Sequence, residues 1–412
     1  MKTRILTVVV GLALTSVAPG AIVVPGADGS DGVLNIAADT VIDLSQAVTG
    51  NWDDNNSANA GKGIYDPDLW AVVFKYSSVT VASGCTVTFN NHPSRAPVVW
   101  LVSGDVTIDG TVSVAGKANV APPGLAEPGP GGFRGATGNY STGVARGAGF
   151  GPGGGAIEAK GGNYGTSPAG EPPAYGNPSL IPLIGGSGGS GAGGVGGGGG
   201  GGALLIACTQ TITLNGGISA AGGAGAAYYY GDTTGAGSGG GVRLVCSTLA
   251  GTGSCQALAG IGGAKASPGL GRIRLERVVN SNTLQVVPDP SIVPLTEGAT
   301  ALLWPPAGAP EVRVVSIGGV AAPADPRASF GTEGADVALP QTATTEVVVE
   351  TTNVEEASQV QVRVTPRHST NYTAVNATVD SVVSTDPLVI RWVASVPVGT
   401  GFSAVQVKVV RP

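Results

Sequence analysis

Residues 97–116 read PVVWLVSGDVTIDGTVSVAG, and residues 203–222 read ALLIACTQTITLNGGISAAG. Laid over each other at one constant offset, Val98 meets Leu204, Trp100 meets Ile206 and Val102 meets Cys208. Val106 and Ile108 then meet Ile212 and Leu214, and Val112 and Val114 meet Ile218 and Ala220. Apolar and small polar residues alternate along each stretch in three short runs. Alternation at a period of two marks a strand with one buried face. Three such strands repeated in register make one coil of a solenoid. Further copies start at Gly240 (GGVRLVCSTLAGTGSCQALAG) and Gly271 (GRIRLERVVNSNTLQVV), with looser ones at Ala71 and Val33. The expected fold is all-β, led by a parallel β-helix. Its interior takes Val98, Trp100, Val102, Val106, Ile108, Val112, Val114 and their equivalents. Asp105, Thr107, Asp109, Thr211, Thr213, Arg243 and Arg274 point outward, and a slip of one residue would bury Arg243 and Asp109. An antiparallel sandwich also has short strands, but it does not need one offset across three of them.

Glycine supplies 70 of the 412 residues, more than twice the usual ~7%. Charged residues are 12% and the net charge is -6. The chain is too apolar for wholesale disorder and lacks the basic footprint of a nucleic-acid binder. No Gly-X-Y period runs through it, which excludes collagen. The glycine segments 116–202, 222–241 and 260–271 each follow a third strand, so these inserts leave from the same corner of the coil. Such tracts are either flexible or packed by close backbone approach as polyproline-II-like runs. A calcium-binding β-roll needs repeated aspartates, and between Gly129 and Gly271 only Asp232 is present. No phosphate-loop pattern occurs.

The opening MKTRILTVVVGLALTSVAPGA has a basic start, a short apolar core and small residues at Ala18–Gly20. That pattern predicts a secretory leader over 1–20 and an exported chain without a transmembrane segment. The β-helix is expected over 21–285, with its main insert at 116–202. A proline-rich linker or cap follows over 286–310, then a β-sandwich of immunoglobulin-like type over 311–412. Its alternating stretches begin at Glu311, Thr345, Gln359, Tyr372, Leu388 and Ala404, with Trp392 in the core.

Candidate chemistry is sparse. Two histidines, His92 and His368, and four cysteines give little support for a metal centre or a Ser-His-Asp site, and no cofactor is expected. His368 reads as an exposed loop residue. Asp105 and Asp109 lie four apart on one strand, about 13 Å, too far for an inverting glycosidase pair. The loop holding Trp52, Tyr65 and Trp70 mixes aromatics with acids as sugar-binding clefts do. These five residues form the candidate carbohydrate site. Tyr228–Tyr230 could stack on a ligand or anchor an insert. Cys208 and Cys246 occupy equivalent inward positions on neighbouring passes, ~4.8 Å apart, within disulfide reach. They are the expected bridge, with reduced stacking and a Cys246–Cys255 loop as alternatives.

The series SDGVLNI, GCTVTF, PVVWLVSGDVTIDGTVSVAG, GGGGGGGALLIA, ITLNGGISAAGG, GGGVRLV and GLGRIRLE spans about residues 30–277. It resembles a group of exported bacterial glycine-rich proteins of the pectate-lyase-like superfamily. The resemblance implies a right-handed β-helix and export. The lyases' aspartate calcium ligands and arginine base have no matching cluster, so it implies no catalysis. The expected function is a non-enzymatic secreted or cell-surface structural protein acting in adhesion, matrix or filament assembly. Its partners would be copies of itself or other surface components. The alternative is a polysaccharide-binding or polysaccharide-cleaving protein, and an ice-binding surface ranks third.

Overall fold

A computed structural model describes residues 20–54, 60–121, 124–138, 147–157, 160–168, 174–226, 233–262, 267–327, 334–340, 343–367 and 371–412. The expected leader before Gly20, Tyr228–Tyr230, Asp232 and His368 lie outside them. Among the described residues the only helix is a 3-10 turn at Leu44–Gln46, and the chain is all-β, in several sheets.

One large sheet holds Ala71–Val81, Val98–Val102, Val106–Ile108, Ala203–Leu214, Gly241–Gly251, Arg272–Asn282 and Ser291–Pro294. A second holds Thr40–Asp43, Thr86–Asn90, Thr111–Ser113, Gly217–Ser219, Ser254–Gln256 and Gln285–Val287. Successive passes pair in parallel. Leu204 stands opposite Val98, Ile206 opposite Trp100 and Ile212 opposite Val106. Ile218 stands opposite Val112. Phe74, Trp100, Ile206, Leu244, Leu275 and Ile292 occupy one register row across six strands. The inward set is buried in a single cluster from Ile36 to Leu275. Each large aliphatic side chain buried there contributes about 1.5–3 kcal/mol. Each complete pass thus has three runs, as in 98–102, 106–108 and 111–113.

The pass beginning at Val33 is incomplete. Gly32–Ile36 lies beside the second run of Ala71–Val81, and Thr40–Asp43 beside the third run at Thr86–Asn90. Ile64–Asp66 pairs antiparallel with the outer edge of Ala71–Val81, in place of a first run. Leu44 closes this end of the interior, fully buried. At the other end the edge strand Ser291–Pro294 sits in VVPDPSIVP. Pro288, Pro290 and Pro294 lack the N–H donors that an added strand would need.

The glycine segments are packed, not loose. Gly196, Gly199 and Gly202 donate their N–H groups to the carbonyls of Val120, Lys117 and Val114. Gly197 and Gly200 donate to Ala136 and Phe133, and Gly198 and Gly201 to Gly235 and Ser238. Every third residue addresses the same neighbour, and residues 196–202 make no bond among themselves. That is polyproline-II geometry, three residues per turn. The segment also accepts from Gly129, Gly186, Gly189 and Gly223, so other segments surround it. Left-handed φ is confined to Gly131, Gly151, Gly176 and Gly194 among the described glycines of the three inserts. Elsewhere glycine is required for space: a Cβ on Gly198 would lie 2.1 Å from the Gly223 carbonyl oxygen.

Residues 311–412 form two antiparallel sheets. Val320–Ala321, Glu311–Ile317, Thr344–Thr352, Leu388–Pro397 and Thr378–Thr385 make one, and Thr373–Asn376, Gln359–Pro366 and Ser403–Val410 the other. Both contribute to one core containing Val347, Val349, Val362, Val364, Ile390 and Trp392. The Trp392 indole N–H donates to Thr351 Oγ1 (2.9 Å). The stretch from Tyr372, expected as one strand, is two: Thr373–Asn376 and Thr378–Thr385 belong to different sheets. Between them Ala377 N–H bonds the Val360 carbonyl.

Candidate functional site

The outward side of the first run is not open to solvent. Ala71, Val73, Val99, Leu101, Leu205, Ala207 and Val245 form a second apolar layer there. It is covered by Ile22, Val24, Ala301 and Leu303, with Trp52 and Trp304 against it. Ile22 N–H donates to Ser247 Oγ (2.8 Å), and Val23 bridges Thr300. Arg243 does point outward as expected, but beneath this cover it is only 1% exposed. Its Nε donates to Glu276 Oε1 (2.7 Å) and its Nη2 to the Leu302 carbonyl (2.6 Å). Arg274 Nε shares the same Glu276 oxygen (2.7 Å). Lys75 is likewise buried, donating to the Asp53 and Asp54 carbonyls (2.9 and 3.0 Å).

The five expected carbohydrate-site residues are not gathered. The Trp52 ring packs on Trp304, 5.3 Å between centroids. Tyr65 is fully buried, stacked on His92 at 4.0 Å, and its hydroxyl donates to Asp325 Oδ1 (2.6 Å). Trp70 has φ +48 and its indole N–H bonds the Ser94 carbonyl (3.0 Å). Asp105 accepts from the backbone of Thr211 (3.0 Å) and Asp109 from Asn215 Nδ2 (2.8 Å). Each aspartate therefore ties its own pass to the next.

Of the five, Trp70 lines a sizeable concavity. A half-open cleft of about 740 Å³ lies between the glycine segments and the C-terminal sheets, lined by Trp70, Phe133, Phe150, Arg134, Val314 and Phe402 among others. The volume suits a small-molecule site. Near it, Glu127 accepts from Arg95 Nε (3.1 Å) and Arg134 Nε (2.8 Å), so these guanidinium groups already have an anion. Among the described residues no three His, Cys, Asp or Glu side chains stand close enough to hold a metal ion.

Sequence reading missed the group around His92. Its Nδ1 accepts from Ser94 Oγ (2.8 Å) and Ser94 N–H (3.2 Å). This serine–histidine contact, two residues apart, folds the turn at 92–94 rather than presenting a nucleophile. Both side chains are buried. Burial, aided by nearby Arg327 and opposed by Asp325, lowers the His92 pKa to about 4. A depressed histidine leaves the unfolded chain binding more protons below its usual 6.5. Stability is then lost as pH falls from about 6.5 to about 4, by up to about 3 kcal/mol. Urea unfolding over that range should show the loss, and His92→Gln should flatten it. An equal slope in both proteins would exclude His92 as its source.

The expected Cys208–Cys246 bridge is not formed; all four cysteines are free and buried. Cys208 and Cys246 do stand opposite each other on neighbouring strands. Cys208 Sγ donates to the Gly104 carbonyl (2.9 Å). Burial pushes the Cys246 and Cys255 thiols up to about 12 and that of Cys208 up as well. Cys208, Cys246 and Cys255 are core residues whose burial disfavours the thiolate.

The second and third runs have outward sides of different composition. Asn35, Thr80, Thr107, Thr213, Ala250 and Ser281 share one register row of the second run. On the third run, Ser113, Ser219, Gln256 and Val287 share one row, and Gly217, Ser254 and Gln285 another. No charged residue stands in any of these rows. No helix among the described residues is long and apolar enough to cross a membrane. No protein-family model, curated protein or solved structure matches this chain.

Proposed function

We propose that this is a non-enzymatic secreted or cell-surface structural protein acting in adhesion or matrix assembly. It is built as a right-handed parallel β-helix with a glycine-rich side bundle, followed by an immunoglobulin-like sandwich. The leader-like opening and the resemblance to exported glycine-rich β-helix proteins support this reading. The observation that carries it is the segregation of charge. Lys75, Arg243, Arg274 and Glu276 lie on the covered first run, whereas the rows just described on the open runs are uncharged. Asp105 lies exposed beside the second-run row, but the hydroxyl-bearing rows themselves meet another surface at less desolvation cost than a charged face would. The prolines of the last edge argue for contact through these faces rather than by strand addition at that end.

Replacing Thr107, Thr213 and Ser219 together by lysine should leave the far-UV spectrum unchanged and abolish self-association or retention on insoluble surfaces. Dispersed wild-type monomers at high concentration that adhere to nothing offered would sink the proposal. A second reading, an ice-binding face, is favoured by Thr80, Thr107 and Thr213 on adjacent strands ~4.8 Å apart. A thermal-hysteresis assay with no effect disposes of it. The polysaccharide reading rests on Trp70 at the cleft; a glycan screen with Trp70→Ala tests it.

A further inference from the structure

We infer that the cleft between the glycine segments and the C-terminal sheets is a binding site for an uncharged, ring-bearing hydrophobic small molecule. The inference is independent of the adhesion reading and uses none of the sheet-face rows that carry it.

The lining is apolar because the sandwich core continues into it. Val314 and Ile317 come from Glu311–Ile317 of one sheet, and Val405 from Ser403–Val410 of the other. All three pack against the sandwich core and also line the cleft. Phe133 and Phe150 line it from the glycine segments, and Trp70 and Phe402 add two more rings. Phe402 is 38% exposed, between Gly399 and Gly401 in sequence. Aromatic walls over an apolar floor favour a guest that carries a ring, through buried area and edge-on or offset ring contacts.

The walls are held at a fixed separation. Arg363 Nη2 donates to the Gly149 and Gly154 carbonyls (2.9 and 3.1 Å), and its guanidinium group stacks on Tyr372. Gly151 N–H donates to Gln406 Oε1 (3.2 Å). Phe150 is thus tied to the sandwich by the residue before it and the residue after it. Of the four described non-glycine residues with left-handed φ, two line this cleft: Trp70 at +48 and Arg95 at +58. Such backbone persists only where its surroundings impose it, and it gathers at ligand clamps. Here the bond from the Trp70 indole to the Ser94 carbonyl joins the two.

Charge sets the class of ligand. Each of the four guanidinium groups lining the cleft already holds a carboxylate. Arg95 and Arg134 share Glu127, Arg313 holds Glu350 (2.6 Å) and Arg327 holds Asp325 (2.8 Å). An anionic guest would have to displace one of these acids, and a cationic guest would meet the guanidinium groups. A neutral guest disturbs neither.

The test titrates the full chain with N-phenylnaphthylamine, an uncharged aromatic dye that brightens out of water. Saturable brightening at one dye per chain supports the site, and its absence overturns it. Ala324→Trp, which fills the cleft, and Phe402→Ser, which removes an exposed wall, should each weaken the dye about tenfold with an unchanged far-UV spectrum. Ile261→Ser, at an 84%-exposed apolar side chain that does not line the cleft, should leave binding unchanged. Equal weakening by all three variants, or by none, would overturn the location. The sulfonated analogue anilinonaphthalenesulfonate should bind about tenfold less tightly. Tighter binding of that anion would overturn the neutral class, and displacement of the dye by neutral oligosaccharides would overturn the hydrophobic class in favour of a glycan.

Discussion

Gly198→Ala should cost more than about 4 kcal/mol, a large share of the roughly 5–15 kcal/mol that holds an ordinary domain folded. Gly198 donates to Gly235 and accepts from Gly189, so its backbone is held from two sides. The added methyl would meet the Gly223 carbonyl oxygen at 2.1 Å and its carbon at 2.6 Å. Ordinary overpacking costs 1–3 kcal/mol because side chains can rotate away. Here the obstacle is backbone, and moving it breaks the Gly223 N–H bond to Gly199 as well. Gly217→Ala is the matched control. Its Cβ would meet nothing closer than Ser254 Oγ at 3.4 Å, and its φ is not left-handed. There alanine should be neutral or stabilise by about 0.4–1 kcal/mol through the unfolded chain. Denaturant midpoints of the two variants decide the matter. A Gly198→Ala protein within about 1 kcal/mol of wild type would mean that the segments are not packed as described.

The same contrast explains what could be read from the amino-acid order. The interior rows were legible because side chains on a strand alternate, so Val98, Trp100 and Val102 declare their face locally. The covered first run left a trace too. VVWLV and ALLIAC are apolar at both alternations, as strands buried on both sides are. Arg243 and Arg274 in the same rows read as solvent-facing, however, because the segments that bury them come from residues 21–24 and 301–303, far away in sequence. The glycine segments hid their order differently. Their three-residue period lies in the direction of N–H groups, and a run such as Gly196–Gly202 has no side chains to show it. At the candidate site, Trp52, Tyr65 and Trp70 share a loop, but their partners Trp304, Asp325 and Ser94 lie elsewhere in the chain. Tyr65 and Trp70 do meet at the 92–94 turn, but as packing partners of His92 and Ser94, while Trp52 packs apart on Trp304. At Ala377 alternation continues while the chain changes sheets, a crossing that a period of two cannot register.

Glu276→Leu should destabilise the protein by about 3–5 kcal/mol, the range for an ion left buried without its partner. Arg243 has no route to water at 1% exposure, and burial already lowers its pKa while Glu276 raises it. With Glu276 gone, only the Leu302 and Leu303 carbonyls remain as its acceptors. Arg274 is 17% exposed and can turn outward. The informative comparison is the double variant Arg243→Met with Glu276→Leu. Replacing a buried ion pair by apolar side chains of similar volume is often neutral, so the double variant should be more stable than Glu276→Leu alone. Some loss should remain, because the two carbonyls lose their donor and the 301–303 cover is held less firmly. If the double variant were no more stable than the single, the cost would lie in shape rather than charge, and the case for keeping these charges under cover would fail with it.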